Sequence, residues 1–236
     1  QLKEEYPTVF DDSLGHCTKT QVQLYLKPGS QPVFRPKRPV PSASYQLVDN
    51  EIKRLEASGI ISPVDFSNWA APIVVVKKAN GTIRICADYS TGLNDVLEPN
   101  QYPLPLPEDI FAKLAGSEIF SIIDLSDAYL QVEVEEKSRV LLTINTHRGL
   151  YRYNRLVPGV KSAPGAFQRI IDSMISGIEG VDSYLDDLII YGKTEASHLR
   201  SLRKLLDRIK EFGFHLRLNK CRFGMTQIKY LGHIVD

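Results

Sequence analysis

Val181-Asp182-Ser183-Tyr184-Leu185-Asp186-Asp187-Leu188-Ile189-Ile190-Tyr191-Gly192 is the stretch that decides how this chain is read. Two short apolar runs flank a pair of adjacent aspartates. Runs rich in Val, Ile and Tyr read as strands. Asp tolerates turn geometry, so the pair is expected at a hairpin bend held by strands on both sides. Two Asp in a turn are ordinarily just a solvated turn, but the setting here argues for more. Upstream, Glu118-Ile119-Phe120-Ser121-Ile122-Ile123-Asp124-Leu125 is a second apolar strand with a carboxylate near its end. Charges rarely end a buried strand without a partner. Three carboxylates with no basic residue beside them repel one another unless a cation neutralises them. Hard oxygen ligands suit magnesium or manganese. A pair of such ions roughly 3.5–4 Å apart is the usual clamp for phosphoryl and nucleotidyl transfer.

The rest of the composition is compatible with that chemistry. The 236 residues are 43% hydrophobic and 24% charged, ordinary for a globular protein with one large core or two small ones. No apolar run approaches the ~20 residues of a membrane span. The first residues, Gln1 to Pro7, lack Met and a signal-peptide pattern, so the chain reads as a piece of something longer. The three cysteines, Cys17, Cys86 and Cys221, are widely spaced, which argues for a reducing compartment. No spacing among them and the five His suggests zinc. The net charge of +1 hides a division. Glu98 to Arg139 holds nine acidic and three basic residues, and His198 to Arg222 holds eight basic and two acidic. An acidic centre suits metal ions and a basic flank suits phosphate backbones, although a basic run is also the ordinary solvated face of a helix.

Along the chain, residues 1–42 end in a proline-rich basic run and are expected to form an extended arm. A helix is predicted over roughly Tyr45–Ala57, with Leu47, Ile52 and Leu55 as its apolar residues and Gly59 as its stop. Pro72–Lys77 and Thr82–Asp88 are predicted strands joined at Ala79-Asn80-Gly81. The proline cluster from Pro99 to Pro107 marks a boundary, and Pro107-Glu108-Asp109 opens a short helix ended by Gly116. The strand carrying Asp124 follows, then strands at Tyr129–Glu135 and Val140–Thr146, and a turn at His147-Arg148-Gly149 into Tyr151–Tyr153. Ala163–Ile175 is predicted helical, with Phe167, Ile170, Ile171 and Met174 on one face. After the aspartate hairpin comes a basic amphipathic helix from about Ala196 to Phe212, burying Leu199, Leu202, Leu205, Leu206 and Ile209. Gly213 stops it, and strands near Phe214–Leu218 and Ile228–Val235 close the chain. From 107 onward, helices and strands alternate in an α+β pattern with helices over one sheet face.

Ordered blocks spanning roughly residues 35–236 resemble the reverse transcriptase of gypsy-type long-terminal-repeat retrotransposons and, more distantly, of retroviruses. Tyr184-Leu185-Asp186-Asp187 resembles the Tyr-X-Asp-Asp box, and Asp124-Leu125-Ser126-Asp127-Ala128-Tyr129 the first catalytic box. The segment from Leu156 through Val157-Pro158-Gly159 to Gln168-Arg169 resembles the stretch between them. Leu216-Arg217-Leu218-Asn219-Lys220-Cys221-Arg222-Phe223 and Tyr230-Leu231-Gly232-His233 resemble the boxes that follow, and Lys77-Lys78 with Arg84 to Tyr89 the fingers hairpin. Any one of these occurs by chance; the ordered set is specific.

The resemblance implies an α+β right-hand polymerase fold of fingers and palm, the thumb absent. The fingers would be 43–97 and 132–162, behind the 1–42 arm, and the palm 98–131 and 163–236. It implies RNA-directed DNA polymerase activity, with Asp124, Asp186 and Asp187 holding two Mg2+ (or Mn2+) ions. Lys77 or Lys78, Arg84 and the main chain at Asp127 and Ala128 would hold the triphosphate. Tyr129 would be the sugar gate, and Pro158, Gly159 and Gln168 would complete the nucleotide site. Tyr184, Leu231, Gly232 and His233 would contact the primer, and Lys220 would give a proton to pyrophosphate. The implied partners are an RNA or DNA template, a DNA or tRNA primer, dNTPs and further polyprotein domains: thumb, ribonuclease H, protease and integrase. No membrane is implied. The setting would be intracellular, in cytoplasm or virus-like particles.

Two short segments depart from the family. Val157-Pro158-Gly159 stands where Pro-Phe-Gly is commoner, which removes a ring beside the incoming nucleotide. Tyr89-Ser90 stands for a commoner Tyr-Arg. Two other readings compete. A decayed or domesticated element would keep the fold and bind nucleic acid without catalysis. A palm-type nucleotide cyclase would share the aspartates but would not account for the helix containing Gln168.

Overall fold

Leu188, Ile189 and Ile190 are fully buried in the computed structural model, which describes residues 1–236. They lie in one of two units, each assembled from separated stretches of chain. The first unit comprises Gln1–Thr20, Gln101–Gln131 and Pro164–Asp236; the second comprises Gln21–Asn100 and Val132–Ala163.

The chain begins in the first unit with a short helix, α1 (Leu2–Glu5). Here the expected arm is corrected. Tyr6, Val9, Phe10 and Cys17 are buried. The Val9 carbonyl accepts the Leu216 N–H at 2.8 Å, and the Tyr6 hydroxyl donates to Asp207 at 2.9 Å. Apolar residues at 6, 9 and 10 anchor this segment, whereas the proline-rich run begins only at Pro28.

The second unit follows with α2 (Tyr45–Ala57), then β1 (Ile61–Val64), β2 (Ala71–Lys77), β3 (Ile83–Ala87) and a single turn, α3 (Leu93–Val96). The α2 helix matches its predicted limits. Its buried stripe is Val48, Ile52 and Leu55, an i, i+4, i+7 set. Leu47 lies off that stripe and is exposed. The unpredicted β1 carries Pro63 yet pairs only with β6. A sheet edge tolerates the missing donor.

The first unit resumes with α4 (Pro107–Leu114) and β4 (Ile119–Asp124). The chain then returns to the second unit through α5 (Glu136–Arg139), β5 (Thr143–Thr146) and β6 (Gly149–Tyr153). Two predicted strands are corrected here. Residues Ala128–Gln131 form a 3-10 turn, because Asp127 sits at φ +46° and reverses the chain. Gln131 holds that turn: it is buried, its amide donates to the His215 carbonyl at 3.0 Å, and its oxygen accepts the His215 N–H at 2.7 Å. The Val140–Thr146 strand is shortened by a 3-10 turn over Val140–Leu142. The second unit's sheet runs β1-β6-β5-β2-β3, antiparallel throughout except for the parallel β2–β5 pair. At the β5–β6 turn, Arg148 Nε donates to Asp49 of α2 at 2.8 Å, and His147 Nε2 bonds the same buried carboxylate.

The last stretch completes the first unit with α6 (Ala163–Ile175), β7 (Val181–Tyr184), β8 (Asp187–Gly192), α7 (Glu195–Phe212), β9 (Arg222–Met225), β10 (Ile228–Tyr230) and β11 (His233–Val235). A Thr194–Ser197 capping box starts α7, and Gly213 at φ +87° ends it. Its buried stripe is His198, Leu202, Leu205, Leu206, Ile209 and Phe212. Leu199, expected inside, is exposed, and His198 takes its place. Burial holds the imidazole below its usual pKa, and its Nε2 is satisfied at 2.7 Å by the buried Ser121 hydroxyl. The unit's sheet runs β7-β8-β4-β9. The predicted strand at Phe214–Leu218 reduces to one bridge, Leu125 to Leu216. The predicted Ile228–Val235 strand is instead the β10–β11 hairpin, broken where Leu231 (φ +48°) and Gly232 (φ +83°) turn the chain.

Candidate active site

β4 and β8 are antiparallel neighbours, and their register pairs Asp124, the last residue of β4, with Asp187, the first of β8. Tyr184 pairs with Asp187 across the β7–β8 hairpin, which leaves Leu185 and Asp186 as a two-residue turn. The bend therefore contains one of the aspartates, and the other begins the next strand. Leu185 adopts φ +56°. That left-handed conformation costs an L-residue with a branched side chain roughly 1–2 kcal/mol and persists only where its surroundings enforce it.

Two groups enforce it. Gln168 of α6 is wholly buried, and its side-chain oxygen accepts the Leu185 N–H at 2.7 Å. The Tyr230 hydroxyl donates to the Asp187 carbonyl at 2.7 Å. Tyr230 packs with Ile110, Leu114, Phe120, Ile189 and Ile228, and Tyr184 leans on the same cluster. Apolar strands thus carry the carboxylates on a rigid base, as the apolar runs on either side of the aspartates suggested.

The electrostatics are those of crowded like charges. Asp187 is pushed up to about 6, first by burial and then by the charges of Asp186 and Asp124. Burial also raises Asp124; Lys220 and Arg217 oppose the rise, while Asp186 and Asp127 add to it. Lys220 sits in the 3-10 turn Leu218–Lys220, close enough for its charge to act on Asp124. Arg217 was not singled out from sequence. Its N–H donates to the Asp124 carbonyl at 3.0 Å, and its guanidinium lies 3.3 Å from Asp127. Its place in the Leu216–Phe223 block was the available signal.

No three His, Cys, Asp or Glu side chains converge into a ready-made metal cage. Mg2+ seldom requires one. It keeps several waters and takes one or two carboxylates together with substrate phosphates. The unbalanced charge at Asp124, Asp186 and Asp187 fits a divalent cation, which would relieve the repulsion that adds to burial in raising Asp187.

The other expected site residues divide. Tyr129 stands in the 3-10 turn after Asp127, not on a strand, with its ring edge-on to Phe167 at 4.8 Å. Burial, then the Asp186 charge, pushes its phenol up to about 12. Ala128 is buried in the same turn. Gln168 does not present its amide to a nucleotide. Its nitrogen donates to Asp172 at 2.8 Å and to Ser183 at 2.9 Å, so every polar atom of the side chain is engaged internally. His233 is exposed at the start of β11 and meets Phe111 edge-on at 5.0 Å, while Leu231 packs on the Tyr230 cluster.

In the second unit, β2 and β3 pair Val76 with Arg84 and Lys77 with Ile83. Paired residues share a face and the faces alternate, so Arg84 and Lys77 project oppositely. Lys78, whose N–H continues the ladder to the Thr82 carbonyl at 2.7 Å, returns to the Arg84 face. The Pro158-Gly159 loop, with Gly159 at φ +94°, is tied down by Asn94, which donates to the Gly159 carbonyl at 2.8 Å and accepts the Lys161 N–H at 2.9 Å.

The basic residues of α7 are partly committed as well. Arg203 pairs with Glu5, and Arg208 donates to the Met174 and Ser176 carbonyls at 3.0 and 3.2 Å, capping the end of α6.

Residues 76–235 match the family model described as reverse transcriptase (RNA-dependent DNA polymerase). The chain is 46% identical over 235 residues, 99% of its length, to the Caenorhabditis elegans protein K02A2.6. It is 34% identical over 200 residues, 84% of its length, to the Transposon Tf2-3 polyprotein of Schizosaccharomyces pombe. The chain spans 18% and 15% of the length of these two relatives. Among solved structures it resembles a foamy viral protease-reverse transcriptase in complex with RNA/DNA hybrid, with a TM-score of 0.89 at 19% identity, covering 99% of this chain and 32% of that one. The same viral protein in complex with double-stranded DNA gives 0.88 at 20% identity, covering 99% and 41%. These likenesses establish the mixed α/β polymerase fold of fingers and palm. With a family match that takes in β3 through β11 and all three aspartates, the chain belongs to the reverse transcriptase (RNA-dependent DNA polymerase) family.

Proposed function

We propose that this chain is the fingers and palm of an RNA-directed DNA polymerase encoded within a gypsy-type retrotransposon polyprotein. The observation that carries the reading is the pairing of Asp124 with Asp187 at the ends of β4 and β8, with Asp186 in the adjoining turn. In this reading the first unit is the palm and the second the fingers. The template is RNA or DNA, the primer DNA or tRNA, and the substrates are dNTPs. Relatives named as polyproteins support further domains in the same product, and the polymerase acts in cytoplasm or virus-like particles. No helix of the chain is long and apolar enough to cross a membrane.

Asp124, Asp186 and Asp187 would hold two Mg2+ ions, which supply an activated primer 3′-hydroxyl and neutralise the departing pyrophosphate. The chain's own groups do the rest. The positive charges of Arg217 and Lys220 offset the carboxylates at the Asp124 side, and in this reading Lys220 would give a proton to pyrophosphate. Tyr129 walls the sugar, and Lys78 with Arg84 meets the triphosphate from the fingers hairpin.

Asp186→Asn keeps the side chain's shape and removes a ligand charge. Primer extension on poly(rA)·oligo(dT) with Mg2+, by the full-length protein that carries this chain, is expected to fall by several orders of magnitude with the melting temperature retained. Near-normal extension by the folded variant would sink the assignment. A wild type that binds primer-template without extending it would favour the non-catalytic remnant.

A further inference from the structure

The turn that presents Asp186 is held from behind by a line of hydrogen bonds that ends on Tyr102. Tyr102, in the segment before α4, donates its hydroxyl to one oxygen of Asp172 on α6. The other oxygen of Asp172 accepts from Gln168 Nε2 at 2.8 Å, and that nitrogen also reaches Ser183 Oγ of β7 at 2.9 Å. Gln168 Oε1 then accepts the N–H of Leu185 at 2.7 Å. Gln168 is wholly buried, as is Ser183 but for a sliver. Asp172 and Tyr102 are half-buried, which carries the line toward the surface. Tyr102's phenol is held up to about 12, chiefly by its bond to Asp172.

The direction of each bond matters. Leu185 lies at φ +56°, where a leucine stays only if something else fixes it. The acceptor on Leu185 is an amide oxygen, and its orientation is set by what the amide nitrogen meets. Asp172 and Ser183 both accept a hydrogen bond from that nitrogen; the carboxylate, which can only accept, keeps the amide from flipping and presenting a donor to the Leu185 N–H. Asp172 is in turn oriented by Tyr102. Outer residues that orient a metal-binding group commonly govern affinity as strongly as the group's neighbours do.

We propose that Tyr102, Asp172 and Gln168 form a positioning relay that fixes the left-handed turn at Leu185 and thereby the placement of Asp186 and Asp187 for metal binding. The proposal rests on the nucleotidyl-transfer reading of the aspartates for its catalytic consequence, but not for its structural one.

The test uses Tyr102→Phe, Asp172→Asn and Gln168→Leu, together with the exchanged pair Gln168→Glu with Asp172→Asn. In the exchanged pair the carboxylate at 168 accepts from Leu185, Ser183 and the new amide at 172, whose oxygen still accepts from Tyr102. Amide hydrogen exchange of this chain is measured first. Each single variant is expected to speed exchange at Leu185 by about tenfold or more while the β4–β8 ladder stays protected. Mn2+ binding, followed by water proton relaxation, is expected to weaken by about tenfold in the single variants. Both are expected to recover in the exchanged pair. In primer extension by the full-length protein, kcat falls by about tenfold or more with the primer-template KM unchanged.

If Gln168→Leu fails to fold, Tyr102→Phe and Asp172→Asn decide. Unchanged Leu185 exchange and Mn2+ affinity in those two folded variants overturn the relay. Loss in the single variants without recovery in the exchanged pair assigns the effect to general packing and also overturns it. A wild type that extends no primer overturns the polymerase reading, and the exchange and Mn2+ results then judge the relay alone.

Discussion

Asp124 and Asp187 face each other as direct cross-strand partners, one closing β4 and the other opening β8. Like charges in that relation destabilise a sheet, and Asp187 moves from its ordinary 3.8 to about 6, by burial first and by Asp186 and Asp124 next. A raised carboxylate pKa means the native state binds more protons than the unfolded chain, so this group favours folding at low pH. That contribution is lost as pH rises from about 4 through about 6. Asp187→Asn is therefore expected to melt higher than wild type at pH 7–8 in EDTA. A gain of a few degrees is expected, since about 1 kcal/mol moves Tm by roughly 2–4 °C in a chain of this size. The gap should close as pH falls to about 4, and Mg2+ should stabilise the wild type more than the variant. Thermal melts across that range check it; a gap that widens toward acid refutes it.

Tyr129 is tethered by a tight 3-10 turn to the residues that follow Asp124, with Phe167 against its ring. A side chain braced in this way cannot yield to an added 2′-hydroxyl. Overpacking of that kind costs on the order of 1–3 kcal/mol, or roughly ten- to a hundredfold in selectivity. Tyr129→Val is expected to raise ribonucleotide use relative to deoxynucleotide use by at least about tenfold. The measurement is kcat/KM for dTTP and UTP on one primer-template. A ratio that stays fixed while the variant polymerises makes Tyr129 a packing residue.

The basic face of α7 is less available than its sequence suggests. Arg203 is engaged by Glu5, and Arg208 by the end of α6. The Arg203→Ala/Arg208→Ala variant is expected to lower Tm and leave the salt dependence of nucleic-acid binding unchanged. Arg200, Lys204 and Lys210 are the helix's remaining basic residues, each worth a slope of about one if it meets a phosphate. A flattened slope in the first variant would restore Arg203 or Arg208 as a phosphate contact.

Asp49 gives the opposite pH signature to Asp187. Arg148 first, then His147, hold its carboxyl well below the usual range against the cost of burial. A lowered carboxylate pKa stabilises the fold above the unfolded value and is lost as pH falls below about 4. Asp49→Asn is expected to melt lower than wild type at pH 7, with the difference shrinking in acid. Equal melting temperatures at pH 7 would show that the β5–β6 turn does not depend on this carboxylate.

What was legible in the sequence was local. The α2 and α6 helices, the β2–β3 hairpin and the Asp186 turn follow from periodicity, glycines and turn chemistry within a few residues. The errors share a cause: long-range partners override local preference. Tyr129 looks like a strand residue until Gln131 locks to His215 and folds its neighbourhood into a turn. Leu199 looks like core until His198 finds Ser121. Gln168 looks like a ligand residue because its box lies between catalytic boxes. Its actual partners, Asp172, Ser183 and Leu185, are set by how α6 docks against β7. The carboxylates were readable because an acid that ends an apolar strand is costly to bury unless a cation or a base offsets its charge.

β4 sits between β8 and β9, and both of these partners come later in the chain. A ribosome therefore delivers the central strand first, with both of its hydrogen-bonding edges bare. The opening segment waits longer still, since Val9 binds Leu216 and Tyr6 binds Asp207. The unit made from Gln21–Asn100 and Val132–Ala163 has all its residues in hand well before the other does. Synthesis thus imposes an order of assembly: one unit can close while Ile119–Asp124, an apolar ribbon, is still a template for any passing strand. The aspartates meet only across the β4–β8 pair, so the nascent chain carries no assembled carboxylate site until β8 has been made and has paired with β4.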